Sequence, residues 1–355
     1  MRDPLVPETI MANTPPPADG LPSAVPTPAD APPRAVWTAH VPRAPWCPDE
    51  WRAALDHVAP GLFLQGSASR HTTDGGGETP YGETTGGRVT GDGWSLVVAS
   101  RRGRLHAHRG EHREDAGTLL RFSTGWVAAI ADGAGSAAWS RLGSAIATHV
   151  VAHAVRERLA HGDASVTGLL PALRDAALAT HAALRWFAEA VEIPPKALRT
   201  TLLVVARHGT QIGVLQVGDG AMTLRRTSGT LLHPHAAATG DFSGEVTHFL
   251  PDDGAVEQLV ASASVHDAET IDAVLIATDG VEDPWYPFTR HAHALFDVLT
   301  RGLQDDAVLP EGVTPAWRTS VTHAADPVHA LAEWLAFEKR GENDDRTLCL
   351  IQRHP

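Results

Sequence analysis

Three short apolar runs in this chain each close on an acid followed by glycine: WVAAIADGAG at 126–135, IGVLQVGDGAM at 212–222 and AVLIATDGVED at 273–283. Apolar, β-branched runs of this length bounded by turn residues read as buried strands. An acidic pair, Asp344-Asp345, stands directly before a further run, TLCLI. Acids at the ends of several buried strands can converge on one rim of a sheet. Converging carboxylates repel one another unless they hold cations. Asp-Gly alone is a common turn dipeptide. The copies at Asp74, Asp92 and Asp253 follow no such strand, which sets Asp132, Asp219 and Asp279 apart.

The remaining pattern places these acids in a layered fold. SLVVAS, after Trp94, reads as a strand, followed by a basic, His-rich stretch at 101–115 and the strand at 126–131. Helical spacing of Trp139, Leu142, Ile146, Val150, Ala154 and Leu159 predicts a helix over about 137–160. A second helix, about 165–191, carries Leu169, Leu173, Thr180, Leu184, Phe187 and Val191 on one face and stops before Pro194-Pro195. Strands at 200–206, 211–217, 221–226 and 229–232 follow with hairpin-length links. After them come a strand at 273–278, helices near 291–301 and 326–338, and a last strand at 347–352. Paired helices between runs of hairpin-linked strands favour an α+β layered fold over a parallel βαβ one.

Residues 1–45 are rich in Pro and Ala with few large apolar side chains, and predict a disordered extension. Residues 46–93 read as a short helix begun by Pro48, with Trp51, Leu55 and Val58 on one side, and a Gly-rich linker. The compact domain is expected over 94–355.

A formal charge of −13 argues against general binding to nucleic acid or anionic membranes. Two cysteines, Cys47 and Cys349, make no disulfide framework, and a reducing cytosol is the simpler reading. No apolar stretch approaches the length of a membrane span, and the N-terminus lacks a signal-type apolar core. A soluble, cytoplasmic protein is expected.

Hard oxygen ligands select Mg²⁺ or Mn²⁺, whereas zinc prefers His and Cys. Two such ions side by side activate water and clamp a phosphoryl group for in-line attack. With Glu114-Asp115 after the basic stretch and Asp344 before the last strand, five acidic sites lie near strand ends.

In that order the segments resemble the metal-dependent protein phosphatases, the 2C-type Ser/Thr enzymes. The matching pieces are HREDA at 112–116, ADGAGSAAWSRLGS at 131–144, TTLLVVA at 200–206 with QVGDGA at 216–221, LIATDGVED at 275–283 and NDDRTLCLI at 343–351. GRLHAHRGEHREDA at 103–116, Asp344-Asp345-Arg346-Thr347 and, more loosely, SGEVTHFL at 243–250 are similar to a bacterial branch. The resemblance implies a four-layer α/β/β/α sandwich of two antiparallel sheets flanked by helices. It implies two, or three, Mn²⁺ or Mg²⁺ ions. Asp132 would bridge two of them, with the Gly133 carbonyl, Glu114, Asp279 and Asp344 as further ligands and Asp219 on a third, weaker ion. Asp115 would orient the attacking water, and phosphoserine or phosphothreonine would be hydrolysed directly, without a phosphoenzyme. Phosphorylated proteins, and a cognate Ser/Thr kinase, are the implied partners.

Two family features are missing. Gly110 stands where many members carry a phosphate-binding Arg, leaving Arg109 or Arg113 as substitutes. Ala134 stands where some carry a His general acid, leaving His106 or His112. The alternatives are a catalytically weak or silent phosphatase-fold scaffold or binding module, and a phosphatase for small phosphomonoesters.

Other signals are weaker. His149 and His153 have helical zinc-pair spacing but no third ligand nearby. GETPYGETT at 77–85 has Glu83 where a phosphate-binding loop needs Lys. Gly-x-Ser-x-Gly is missing, and the ten tryptophans read as core.

Overall fold

The computed structural model describes residues 71–72, 78–79, 84–91, 93–161, 168–235 and 248–354. The expected tail 1–45, the Pro48 helix and most of the loop after it lie outside the described residues, as do 243–247. No helix among the described residues is long and apolar enough to cross a membrane.

The strands are β1 (Thr84–Gly91), β2 (Trp94–Arg101), β3 (Ala116–Phe122), β4 (Gly125–Ala131), β5 (Leu202–His208) and β6 (Gln211–Val217). They continue with β7 (Ala221–Arg226), β8 (Leu231–Leu232), β9 (Ser264–Asp267), β10 (Ile271–Ala277) and β11 (Arg346–Arg353). One sheet has the order β8-β7-β10-β11-β2-β1 and the other β9-β6-β5-β4-β3. All neighbours in both are antiparallel. A separate two-residue pairing joins His71–Thr72 to Glu78–Thr79.

Period-two alternation explains the layering. Along β4, Trp126, Ala128 and Ile130 point between the sheets, where they meet Leu96 and Val98 of β2, Val274 and Ile276 of β10, and Cys349 and Ile351 of β11. Val127, Ala129 and Ala131 of β4 point the other way, into helices α2 (Ser140–His161) and α3 (Leu169–Ala190). On the far side, Val97 and Ala99 of β2, Leu275 and Ala277 of β10, and Leu348 and Leu350 of β11 pack on α6 (Phe288–Arg301) and α7 (Pro327–Trp334). The result is the expected α/β/β/α sandwich. Smaller helices are α1 (Arg104–Arg109), α4 (Ala255–Ser262) and α5 (Asp279–Glu282). The Asp326 carboxylate starts α7 by accepting from the Val328 and His329 N–H groups, both at 3.0 Å.

Two sequence expectations are corrected. The composition predicts a Gly-rich linker to residue 93, but Thr84–Gly91 is an edge strand paired residue by residue with β2. Its composition reads as loop, yet a side chain at Gly86 would stand 2.5 Å from Val328 Cγ1 and 2.6 Å from the Val98 carbonyl oxygen, so the close packing of α7 selects glycine there. Val191, counted on the buried face of α3, lies past its last helical residue and is exposed.

Candidate active site

Strand register gathers the acids. Ala116 of β3 pairs with Ala131 of β4, so the residue entering β3, Asp115, stands beside the residue leaving β4, Asp132. In the other sheet Ala277, at the end of β10, pairs with Ala221 at the start of β7 and with Leu348 near the start of β11. Asp219, Asp279 and Asp344 therefore leave or enter three adjacent strands at one rim. Backbone bonds from Thr201 N to the Asp132 carbonyl and an isolated bridge between Gly133 and Thr200 carry β4 past its last residue.

Gly133 and Gly280 follow two of these acids for reasons of space. A Cβ on Gly280 would fall 1.8 Å from the Asp345 carbonyl oxygen, and one on Gly133 would fall 2.8–3.0 Å from Ser140 and the Glu114 carbonyl oxygen. The glycines let the acid-bearing loops of different strands touch.

The acids raise one another's pKa. Burial pushes Asp132 well above the usual carboxylate range, with the charges of Asp115, Asp279 and Asp344 adding to it. Asp279 is pushed up the same way, by burial and then by Asp219, Asp344, Asp115 and Asp283. Burial also raises Asp115, Asp344, Glu114 to about 7 and Asp219 to about 6. The structure thus brings together all six acids singled out from sequence: Glu114, Asp115, Asp132, Asp219, Asp279 and Asp344.

Three further acids belong to the same rim. Asp283 lies one helical turn after Asp279 and its charge raises Asp219, Asp279 and Asp344. Glu282, pushed up to about 7 by burial and by Asp219, is its neighbour. Both were in view in LIATDGVED, and the four-residue spacing of Asp279 and Asp283 was the usable signal. Asp345 is 1% exposed and has a different task. Its Oδ1 accepts from Gly103 N at 2.6 Å, its Oδ2 from Glu114 N at 2.5 Å, and His106 Nδ1 lies 3.0 Å from Oδ2.

That contact places His106. Asp345 lifts its pKa to about 9 against the opposing effect of burial, so the ring is a cation at neutral pH. Its Nε2 stands 4.0 Å from Glu114 Oε2. The arginines divide. Arg113 is turned inward, with Nε donating to the Asp115 carbonyl at 3.1 Å, and braces the loop that bears the acids. Arg109 is 56% exposed at the end of α1 and faces Glu111 at 3.8 Å.

Do these residues suit a metal ion? Among the described residues no group of three or more His, Cys, Asp or Glu side chains stands in ligating geometry. The donor chemistry does fit a hard divalent cation. Glu114 Oε2, Asp115 Oδ1, Asp219 Oδ1 and Asp279 Oδ1 are all buried with no hydrogen-bond partner. Buried carboxylate oxygens without partners, on groups that repel one another, are strongly unfavourable unless protonated or neutralised by a cation.

The Protein phosphatase 2C family profile matches residues 102–336. Among solved structures, a serine-threonine phosphatase 2C from Toxoplasma gondii is 15% identical, covers 76% of this chain and 98% of its own, and superposes with a TM-score of 0.50. The catalytic domain of the serine/threonine phosphatase PstP, solved with two manganese ions, is 19% identical over 74% of this chain and 99% of its own, with a TM-score of 0.45. RsbX, solved with magnesium, is 14% identical over 76% and 99%, with a TM-score of 0.43. The likeness to the first is one of fold. No curated protein sequence matches the chain significantly.

Proposed function

Because the chain belongs to the protein phosphatase 2C family, we propose that it is a Mn²⁺- or Mg²⁺-dependent Ser/Thr phosphatase of phosphoproteins, acting in the cytoplasm, with a Ser/Thr kinase as its antagonist. The observation that carries this reading is the rim of buried, mutually repelling carboxylates with unpartnered oxygens.

Glu114, Asp132, the Gly133 carbonyl, Asp279 and Asp344 would hold two cations, and Asp219 with Asp283 would hold a weaker third. When bound, such cations neutralise the phosphoryl oxygens and make water a competent nucleophile near neutral pH. The chain's own contribution is placement. Asp115 offers Oδ1 as an acceptor that orients the attacking water. His106, held cationic by Asp345, carries a proton on Nε2 for the departing serine or threonine oxygen. Arg109, exposed and 3.8 Å from Glu111, would be the cation that meets the phosphate.

The second reading, a phosphoprotein-binding module with little turnover, is favoured by Arg113, which braces the Asp115 backbone instead of facing the rim. Phosphate release from a phosphothreonine peptide and from p-nitrophenyl phosphate, with and without Mn²⁺, separates the two. The enzyme reading expects metal-dependent release from the peptide that Asp132→Asn abolishes. Equal release from that variant, or none from the parent, overturns it. Release from the small ester alone would point to a phosphatase of small phosphomonoesters.

A further inference from the structure

The two oxygens of Asp115 live in different surroundings. Oδ1 is buried and accepts from no hydroxyl or N–H, and the Asp132 carboxylate lies within hydrogen-bond reach of the Asp115 side chain. Oδ2 accepts from Thr278 Oγ1 at 2.9 Å and from Thr347 Oγ1 at 2.6 Å. Thr347 Oγ1 also lies 2.6 Å from Ser100 Oγ. A hydroxyl has one proton and an ionised carboxylate only accepts. The Thr347 proton therefore goes to Asp115 and the Ser100 proton to Thr347, a chain that runs Ser100 to Thr347 to Asp115.

These hydroxyls and the carboxylate come from opposite sheets. Ser100 lies in β2 and Thr347 in β11, directly paired in register, and Thr278 follows β10 and bonds to the Thr347 backbone through both its N–H and its hydroxyl. Asp115 enters β3 of the other sheet. All three hydroxyl residues are 0–2% exposed. At such sites valine or alanine would fill the space with no polar group to satisfy, so buried hydroxyls there call for a partner worth meeting. The partner all three share, directly or through one another, is Asp115.

We infer that Thr278 and the Ser100–Thr347 pair are positioning residues for the reaction: they clamp Asp115 by Oδ2 across the sandwich, so that Oδ1 alone faces the nucleophile. The inference rests on the phosphatase reading. It extends to residues that touch neither substrate nor cation.

The test uses the full-length chain and the variants Thr347→Val, Thr347→Ser and Ser100→Ala. kcat and KM on a phosphothreonine peptide are measured at saturating Mn²⁺, and Mn²⁺ binding is measured separately by calorimetry. A misplaced water-orienting group lowers kcat and spares binding, so Thr347→Val should lose about tenfold or more in kcat while KM and the Mn²⁺ Kd stay within about threefold. Thr347→Ser, which keeps the hydroxyl, should recover to within about threefold of the parent. Should the valine variant not fold, Ser100→Ala, which removes one buried oxygen, should show the same pattern with a loss of about threefold. Parental kcat in the folded Val or Ala variant overturns the clamp. So does a joint loss of kcat and Mn²⁺ binding, which would mark the hydroxyls as general support of the rim. A parent without Mn²⁺-dependent activity overturns the phosphatase reading and the clamp together, whereas an active parent with an unaffected Thr347→Val overturns the clamp alone.

Discussion

The carboxylate of Asp345 accepts the backbone N–H of Glu114 at 2.5 Å, tying the last acidic motif of the chain to the first. The same side chain holds Gly103 N and the ring of His106. Asp345→Ala would strand two backbone donors and a buried imidazolium. Removing one side of such a network costs about 3–5 kcal/mol, so the variant should show a large drop in urea midpoint. Asp345→Asn keeps an acceptor and loses the charge. The His106 titration, read by NMR, should then fall from about 9 toward the ordinary histidine range. A value still near 9 in the Asn variant would show that Asp345 is not its cause.

Stability without metal should fall as pH rises. Burial lifts Glu114 and Glu282 from 4.5 to about 7 and Asp219 from 3.8 to about 6. A carboxyl with a raised folded pKa holds its proton more tightly when folded, so its contribution is full below the unfolded value and is lost as pH climbs through the folded one. His106 follows the same sign over a later window, from 6.5 to about 9. In EDTA, Tm should therefore decline between about pH 5 and pH 9. Mn²⁺ should raise Tm more at pH 8 than at pH 5, because ionised carboxylates are the ligands. A metal-free Tm that rises across this range, or an Mn²⁺ effect larger at pH 5, would contradict the assignment. Differential scanning calorimetry decides it.

Four of the nine acids at the rim, Asp132, Asp219, Asp279 and Asp344, were legible because each stands at the end of an apolar run, a pattern visible one strand at a time, whereas Glu114 and Asp115 follow a basic stretch and were legible only through the order of motifs. Asp345 was not, because its partners Gly103, His106 and Glu114 lie 231 or more residues away and only the pairing of β11 with β2 brings them near. The hydroxyls of Ser100, Thr278 and Thr347 were hidden for the same reason: on paper each is an ordinary polar residue beside a strand. β1 was missed through its glycines, which signal loop locally and close packing only in the folded molecule. Arg113 had the right charge for phosphate, and only burial showed it bracing the backbone instead.

Gly280 and Gly87 make a matched pair of tests. A methyl at Gly280 would overlap the Asp345 carbonyl oxygen at 1.8 Å, a backbone atom that cannot swing aside as the end of a flexible side chain could. Gly280→Ala should cost about 2–3 kcal/mol or more by chemical denaturation, and should disturb the rim enough to lose Mn²⁺-dependent activity. At Gly87 a methyl would meet only Val98 Cγ1 at 4.0 Å. Gly87→Ala in an edge strand should be neutral or stabilising by about 0.5 kcal/mol. Equal stability of the two variants would remove the spatial explanation for the glycine that follows Asp279.

Asp283 offers the sharpest check on how the rim divides its labour. Its charge raises Asp219, Asp279 and Asp344, which sets it on the Asp219 side of the rim. Asp283→Asn should therefore leave the Asp132 side of the rim intact while removing one negative charge from the Asp219 side. Less repulsion should leave the metal-free protein as stable as the parent or more so. Fewer anionic donors should weaken cation binding there, raising the Mn²⁺ concentration for half-maximal activity by about three- to tenfold. Calorimetric titration should show the loss confined to the weakest binding step, with the tightest step unchanged. Loss of the tightest step would instead place Asp283 beside Asp132 and break the proposed division.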